Sequence, residues 1–208
     1  MNTKALIFDF DGVLVDLEPL HMKAWQFVLA PLNLNFSDKE YEEYYLGLND
    51  RDIVMRRFQH AKRSLTQTEA EELICEKEEK THAIFAKEIP LVEGAEDFVK
   101  KVFKKYPLSI VTGALKSEVH LVLKRLGWQD YFPIVISAND VKRGKPDPEG
   151  FLKAYEELKK IKEWNPELKK EECLIFEDSQ YGIQAAKNAG IPCLHVKGSL
   201  LPFIDILL

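Results

Sequence analysis

Cysteine is scarce in this chain. The three present, Cys75, Cys173 and Cys193, are an odd number without metal-type spacing, which argues against a disulfide framework or a cysteine metal site. Cys173 and Cys193 sit in apolar runs and read as buried, reduced thiols. Long apolar runs are also missing. No stretch approaches the ~18 residues of a membrane span, and the N-terminus lacks a signal-peptide pattern, so no membrane partner and a cytoplasmic location are expected. Nor is there an excess of positive charge: 29 Lys and Arg against 34 Asp and Glu leave a net charge of −5. A nucleic-acid binder would normally show a basic face. The Lys pairs at 100–101, 104–105, 159–160 and 169–170 are interleaved with apolar or acidic residues and read as solvated helix faces. Repeats and low-complexity segments are absent from the sequence. What is present is 46% hydrophobic and 30% charged residues over 208 positions. That describes a globular protein with room for one domain carrying an insertion, or two small ones.

The chain begins with Lys4-Ala5-Leu6-Ile7-Phe8-Asp9-Phe10-Asp11-Gly12-Val13. Four apolar residues, Ala5 to Phe8, suit a strand buried on both faces, as in a parallel sheet. Asp9 and Asp11 lie two apart and share a side if the extended backbone persists. Such a pair repels unless a cation or a shared proton relieves it. A hard, oxygen-liganded cation such as Mg2+ is one reading and an ordinary acidic turn the other. An EF-hand is excluded, because its Gly and Glu positions would be Leu14 and Leu20.

For about seventy residues after Asp16 the pattern is helical. Pro19 to Ala30 is expected as a helix stopped by Pro31, and Ser37 with Glu40 makes a capping box for a second helix ending near Gly47. Asp50 to His60 reads as a third, and Thr66 with Glu69 opens a fourth reaching toward Pro90. From Leu91 short apolar runs alternate with helices. The expected helices are Glu93–Lys105, Ser117–Leu126 closed by Gly127, Glu149 to about Lys160, and Gly182–Ala189 capped by Gly190. The expected strands are Leu108–Val111, Ile134–Ile136, Cys173–Phe176 and Cys193–Val196, with a polar loop around Asn165-Pro166. This alternation implies βαβ units and a parallel sheet. Leu200 to Leu208 is apolar and expected to pack back on the core, without an assigned element.

Polar residues follow the strands: Asp9 the first, Thr112-Gly113 the second, Glu177-Asp178 the fourth, with Gly144-Lys145-Pro146 shortly after the third. Open α/β sheets bind ligands beyond the carboxyl ends of their strands, so these residues form one candidate pocket. Each alone has a plain structural reading; together they do not. The residues resemble the four motifs of the haloacid dehalogenase superfamily of phosphotransferases. Asp9-Phe10-Asp11-Gly12-Val13 is similar to its first motif and Thr112 after Ser109-Ile110-Val111 to its second. Lys145 in Gly-Lys-Pro-Asp-Pro is similar to the third. Phe176-Glu177-Asp178-Ser179, running through Gly182 to Ala189-Gly190, is similar to the fourth.

The resemblance implies a Rossmann-like five-stranded parallel sheet in order 5-4-1-2-3, residues 1–16 plus 90–208, with an inserted α-helical cap at 17–89. It implies Asp9 as nucleophile forming an aspartyl-phosphate and Asp11 as general acid and base. Mg2+ would be held by Asp9, the Asp11 main-chain carbonyl, Asp178 and Glu177, and phosphate by Thr112, Gly113 and Lys145. Because dehalogenases lack a second aspartate at the Asp11 position, phosphoryl transfer is expected. The substrate would be a small phosphorylated metabolite of the sugar-phosphate type, and the assembly a monomer or weak homodimer. His21 and Arg51 are candidate cap residues for its specificity; Lys77, His82 and Lys116 are weaker, and His60, His120 and His195 read as structural.

Two alternatives stand beside the phosphatase reading. Gln180 and Gln184 resemble beta-phosphoglucomutase, a phosphosugar mutase. That group, however, continues its second motif with a serine and an asparagine, where this chain has Gly113-Ala114-Leu115-Lys116. Leu17 stands where the mutase has threonine, and Arg51 sits one position late. A phospho-receiver domain also has a parallel sheet with clustered acids, a Thr and a Lys. It is about half this length, with its acceptor on the third strand and no helical insertion.

Overall fold

The computed structural model describes residues 2–46, 48–161 and 167–207, the last three of these by backbone alone. The expected stop near Gly47 and the expected loop at Asn165-Pro166 lie outside the described residues. Two compact units are present, Met1–Asp16 with Ile89–Leu208, and Leu17–Glu88. In chain order, β1 (Ala5–Phe8) is followed by α1 (Glu18–Leu29), α2 (Asp38–Tyr44), α3 (Asp50–His60) and α4 (Gln67–Phe85). Then come α5 (Ala95–Val102), β2 (Leu108–Val111), α6 (Lys116–Leu126), β3 (Ile134–Ile136) and α7 (Glu149–Lys159). The chain closes with β4 (Cys173–Glu177), α8 (Gln180–Ala189), β5 (Cys193–His195) and α9 (Leu201–Leu207).

All five strands of the first unit run parallel in the order β3-β2-β1-β4-β5, which read from the other edge is 5-4-1-2-3. β1 is central because its four residues are wholly apolar and can be covered on both faces. Alternation sorts them. Ile7 points into a cluster with Val111, Ile175, Phe151 and Ala185. On the other face Phe8 stacks on Phe176 (ring centroids 4.9 Å apart), and Phe98, Phe132 and Phe203 meet this pair edge-on. Truncating a buried Phe of this kind typically costs about 3–5 kcal/mol. The two crossings of the chain at the unit's edge are tied together: Val15 bridges Leu91, and Asp16 N–H donates to Pro90 C=O at 3.0 Å. The C-terminal segment packs back as expected and is helical; Leu200 is fully buried and its N–H donates to Glu93 C=O at 2.8 Å.

The second unit is helical in its described residues, around a core of Trp25, Leu29, Phe36, Tyr41, Tyr45 and Val54. Both expected capping boxes form, Ser37 with Glu40 and Thr66 with Glu69. Pro31 does not end the first helix outright. α1 stops at Leu29 and a 3-10 turn, Ala30–Leu32, carries Pro31 before Asn33 takes a left-handed φ of 55°. α5 is shorter than the expected 93–105, because Gly94 at φ 76° starts it at Ala95. No helix among the described residues is long and apolar enough to cross a membrane.

Candidate active site

β1 ends at Phe8, and the extended backbone does not persist through Asp11. Phe10 C=O accepts from both Leu14 and Val15 N–H (2.9 and 3.2 Å), and Gly12 N–H donates to Val15 C=O, closing a tight loop. The carboxylates that come together are those of Asp9, Glu177 and Asp178, whose ligand oxygens all lie within 4.8 Å of one another. They meet because β1 and β4 are paired neighbours and Asp9 N–H continues their ladder to Phe176 C=O at 2.9 Å. Two glycines make the approach possible. A Cβ on Gly12, which sits at φ 81°, would overlap the Asp178 carboxylate, and one on Gly182 would overlap that of Glu177.

Lys145 enters from the loop after β3. Its Nζ lies 2.7 Å from Asp9 Oδ1 and 2.6 Å from Glu177 Oε2. That loop is anchored by Glu149, which accepts from the Lys142 and Arg143 N–H groups at 3.1 and 3.2 Å and from Lys153 Nζ at 2.6 Å. Glu177 is fully buried and also accepts from Ser179 Oγ at 2.8 Å. Thr112, just past β2, is held by its N–H to Ile136 C=O (2.9 Å), while its Oγ1 accepts from Ala114 N–H (3.0 Å). Thr112, Gly113 and Lys145 line one cavity of about 420 Å³, together with Lys142, Arg143 and Tyr181.

Charge and burial set the ionisation. Burial raises Asp9 well above the carboxylate range; Lys145 opposes the shift and Glu177 reinforces it. Asp178 is raised by burial and then by the neighbouring Glu177 charge. Burial opposes ionisation of Glu177 too, but there the Lys145 ammonium and the Ser179 bonds prevail and lower it. Lys145 is likewise held above its ordinary value, since Asp9 and Glu177 outweigh its desolvation. One ammonium does not balance three carboxylates. The donor set is all oxygen, which suits a hard divalent cation, and the two glycine gaps leave the carboxylates converged.

The helical unit holds a second polar cluster. Lys77, only 5% exposed, places Nζ 2.9 and 3.0 Å from the two Asp50 carboxylate oxygens and 3.0 Å from His21 Nδ1. Trp25 Nε1 donates to Asp50 Oδ1 at 3.0 Å, and the His21 ring meets Phe85 edge-on at 5.6 Å. As Lys can only donate, His21 Nδ1 accepts. Arg51 is exposed at the start of α3, as are His82 on α4 and Lys116, which pairs with Asp140 at 3.3 Å. The sequence reading placed Lys77 among the weaker candidates and did not single out Asp50, its ion-pair partner. The available signal was spacing: Lys77 shares the α4 stripe of Thr81 and Phe85, four and eight residues on, which is otherwise buried. His60 bonds Tyr45 Oη at 3.0 Å, and His195 Nε2 lies 3.0 Å from the Asp178 main-chain oxygen.

The family model for haloacid dehalogenase-like hydrolases matches residues 6–196. A phosphorylated carbohydrates phosphatase of Thermotoga maritima is 32% identical over 191 residues, covering 90% of this chain and 82% of that protein. The fructose-1-phosphate phosphatase YqaB of Escherichia coli is 31% identical, covering 92% and 95%. A beta-phosphoglucomutase of Bacillus subtilis is 27% identical, covering 90% and 80%. Motif order, sheet order and these likenesses along nearly the whole length agree: the chain belongs to the haloacid dehalogenase-like hydrolase family.

Proposed function

We propose that the chain is a Mg2+-dependent phosphatase of small phosphorylated metabolites, sugar phosphates in particular, acting through an aspartyl-phosphate on Asp9. The observation that carries this reading is the placement of Asp9, at the end of the central strand, between Lys145 and two further acids. In the first step an Asp9 carboxylate oxygen bonds to phosphorus while the bond to the ester oxygen breaks, and Asp11 gives that oxygen its proton. In the second, water attacks phosphorus as Asp11 takes its proton, the bond between the Asp9 oxygen and phosphorus breaks, and inorganic phosphate leaves with the Asp9 carboxylate restored. Lys145, the Thr112 hydroxyl and Gly113 hold the non-bridging oxygens, so most of the work is positioning and charge stabilisation. Asp9, Asp178, Glu177 and the Asp11 carbonyl are the groups that would hold Mg2+, which when bound screens the approach of a carboxylate to a phosphate dianion. Since Glu177 already grips Lys145, its main part in this reading is to position that lysine.

Sugar phosphates are favoured by two relatives, 32% and 31% identical, whose names specify a phosphorylated carbohydrate and fructose 1-phosphate. In this reading the helical unit serves as a cap, and His21 and Arg51 read the part that is not transferred. The mutase reading is supported by the Bacillus subtilis relative and by Gln180 and Gln184. Gln184, however, spends its amide on Asn188 in the next turn of α8, 2.8 Å away. The test is phosphate release from a panel of phosphorylated sugars and glycerol phosphates with Mg2+, alongside β-glucose 1-phosphate isomerisation. Release of inorganic phosphate from one or more sugar phosphates is expected. Isomerisation faster than release would establish the mutase instead, and no release from any of them, with Mg2+ present, would overturn the proposal.

A further inference from the structure

β5 runs beside β4 with His195 opposite Glu177, and the last main-chain rung between them is Val196 N–H to Glu177 C=O at 2.8 Å. The chain then turns away through Gly198 at φ 70°. Just past the end of β4, the carbonyl of Asp178 is met by a side chain: His195 Nε2 lies 3.0 Å from it. A carbonyl oxygen can only accept, so the imidazole carries its proton on Nε2 and donates. The ring is exposed, with little core packing to account for it. Asp178 and His195 line one cavity of about 460 Å³ with Gly12, the residue whose missing side chain makes room for the Asp178 carboxylate.

We propose that His195 is a positioning residue for the metal-binding acids. Its imidazole donates to the chain just past the end of β4 and fixes the main chain of Asp178, so that the Asp178 carboxylate stays converged with those of Asp9 and Glu177. The proposal rests on the Mg2+-dependent reading of the site. Groups behind metal ligands matter because they hold ligand geometry that the ion would otherwise have to impose.

The test is the affinity of the full chain for Mg2+ alone, by calorimetry, in the wild type and in His195→Phe and His195→Gln, with melting temperatures recorded for each. His195→Ala is a second donor-free variant in case Phe disturbs the strand. A glutamine amide can donate from about the position of Nε2. The Phe and Ala variants are expected to bind Mg2+ about tenfold more weakly with melting temperatures near wild type, and the Gln variant within about threefold of wild type. Donor-free variants that bind Mg2+ like the wild type, while the wild type binds it and hydrolyses aryl phosphate, would overturn the inference alone. Equal weakening in Gln and Phe would also overturn it, since the donor would not be the cause. A wild type that neither binds Mg2+ nor needs it would remove the metal reading and the inference together.

Discussion

In the proposed mechanism Asp9 has to be ionised to attack phosphorus, yet its burial and its neighbour Glu177 both favour the protonated form. Lys145, 2.7 Å away, works the other way. A neutral amide at this position keeps the shape, loses the nucleophile and relieves some of the crowding among three acids. Asp9→Asn is therefore expected to fold with an unchanged or higher melting temperature and to retain less than about one per cent of turnover. Steady-state phosphate release and a thermal melt check both halves. A well-folded variant with substantial activity would reject the covalent mechanism. Asp11 differs in kind. In the proposed mechanism it transfers protons and does not bond to phosphorus, from a loop closed by Phe10, Gly12 and Val15.

At the scale of the element, the segment that brings Lys145 to the site depends on one residue of α7. Glu149 gathers two main-chain N–H groups of the Lys145 loop and the Lys153 ammonium. The Lys153 hydrogen bond foremost, with the two N–H groups, pulls its pKa from 4.5 to about 2. A folded-state value below the unfolded one means stability that is complete above the unfolded pKa and lost as the pH falls through the folded one. Glu149→Gln should thus melt below the wild type at pH 7. The two melting curves should converge as the pH falls from about 4.5 toward 2. A gap that stays constant with pH would show that the carboxylate charge does not hold the loop. The same element logic explains the helix ends: Ser37 and Thr66 each accept from the N–H three residues on, which is why those two starts were readable in advance.

For the whole molecule, the proposed division of labour puts phosphate chemistry in the sheet unit and recognition of the rest of the substrate in the helical one. Binding energy from a non-reacting part can be used to align the reacting one. His21→Ala and Arg51→Ala are accordingly expected to lower kcat/KM for the preferred metabolite by about tenfold, the loss of roughly one good contact. They should leave p-nitrophenyl phosphate nearly unaffected, whereas Lys145→Ala should impair both substrates. Equal losses on both substrates in the helical-unit variants would show that neither residue reads the substrate. His21 is the better placed of the two to show an effect through its neighbours, because it bonds the buried Lys77, while Arg51 is exposed.

The sequence by itself determined the sheet and most of what stands at its ends. Wholly apolar runs such as Ala5–Phe8 and Cys173–Phe176 suit central strands, and once they alternate with helices the polar residues that follow them fall at one edge. Local chemistry also settled the capped helix starts. Three things were decided only by tertiary structure. The meeting of Asp9 with Glu177 and Asp178 depends on the pairing of β1 with β4, which alternation along a single strand does not reveal. The Lys77–Asp50–His21 cluster joins residues 27 and 56 positions apart, and a buried lysine in a charged helix looks like its solvated neighbours until its partners arrive. His195 reads as an ordinary strand-end residue because its partner is a main-chain oxygen, which has no signature in the sequence. Period and composition register what a residue does along its own element; a contact made across elements is set by the packing of the sheet.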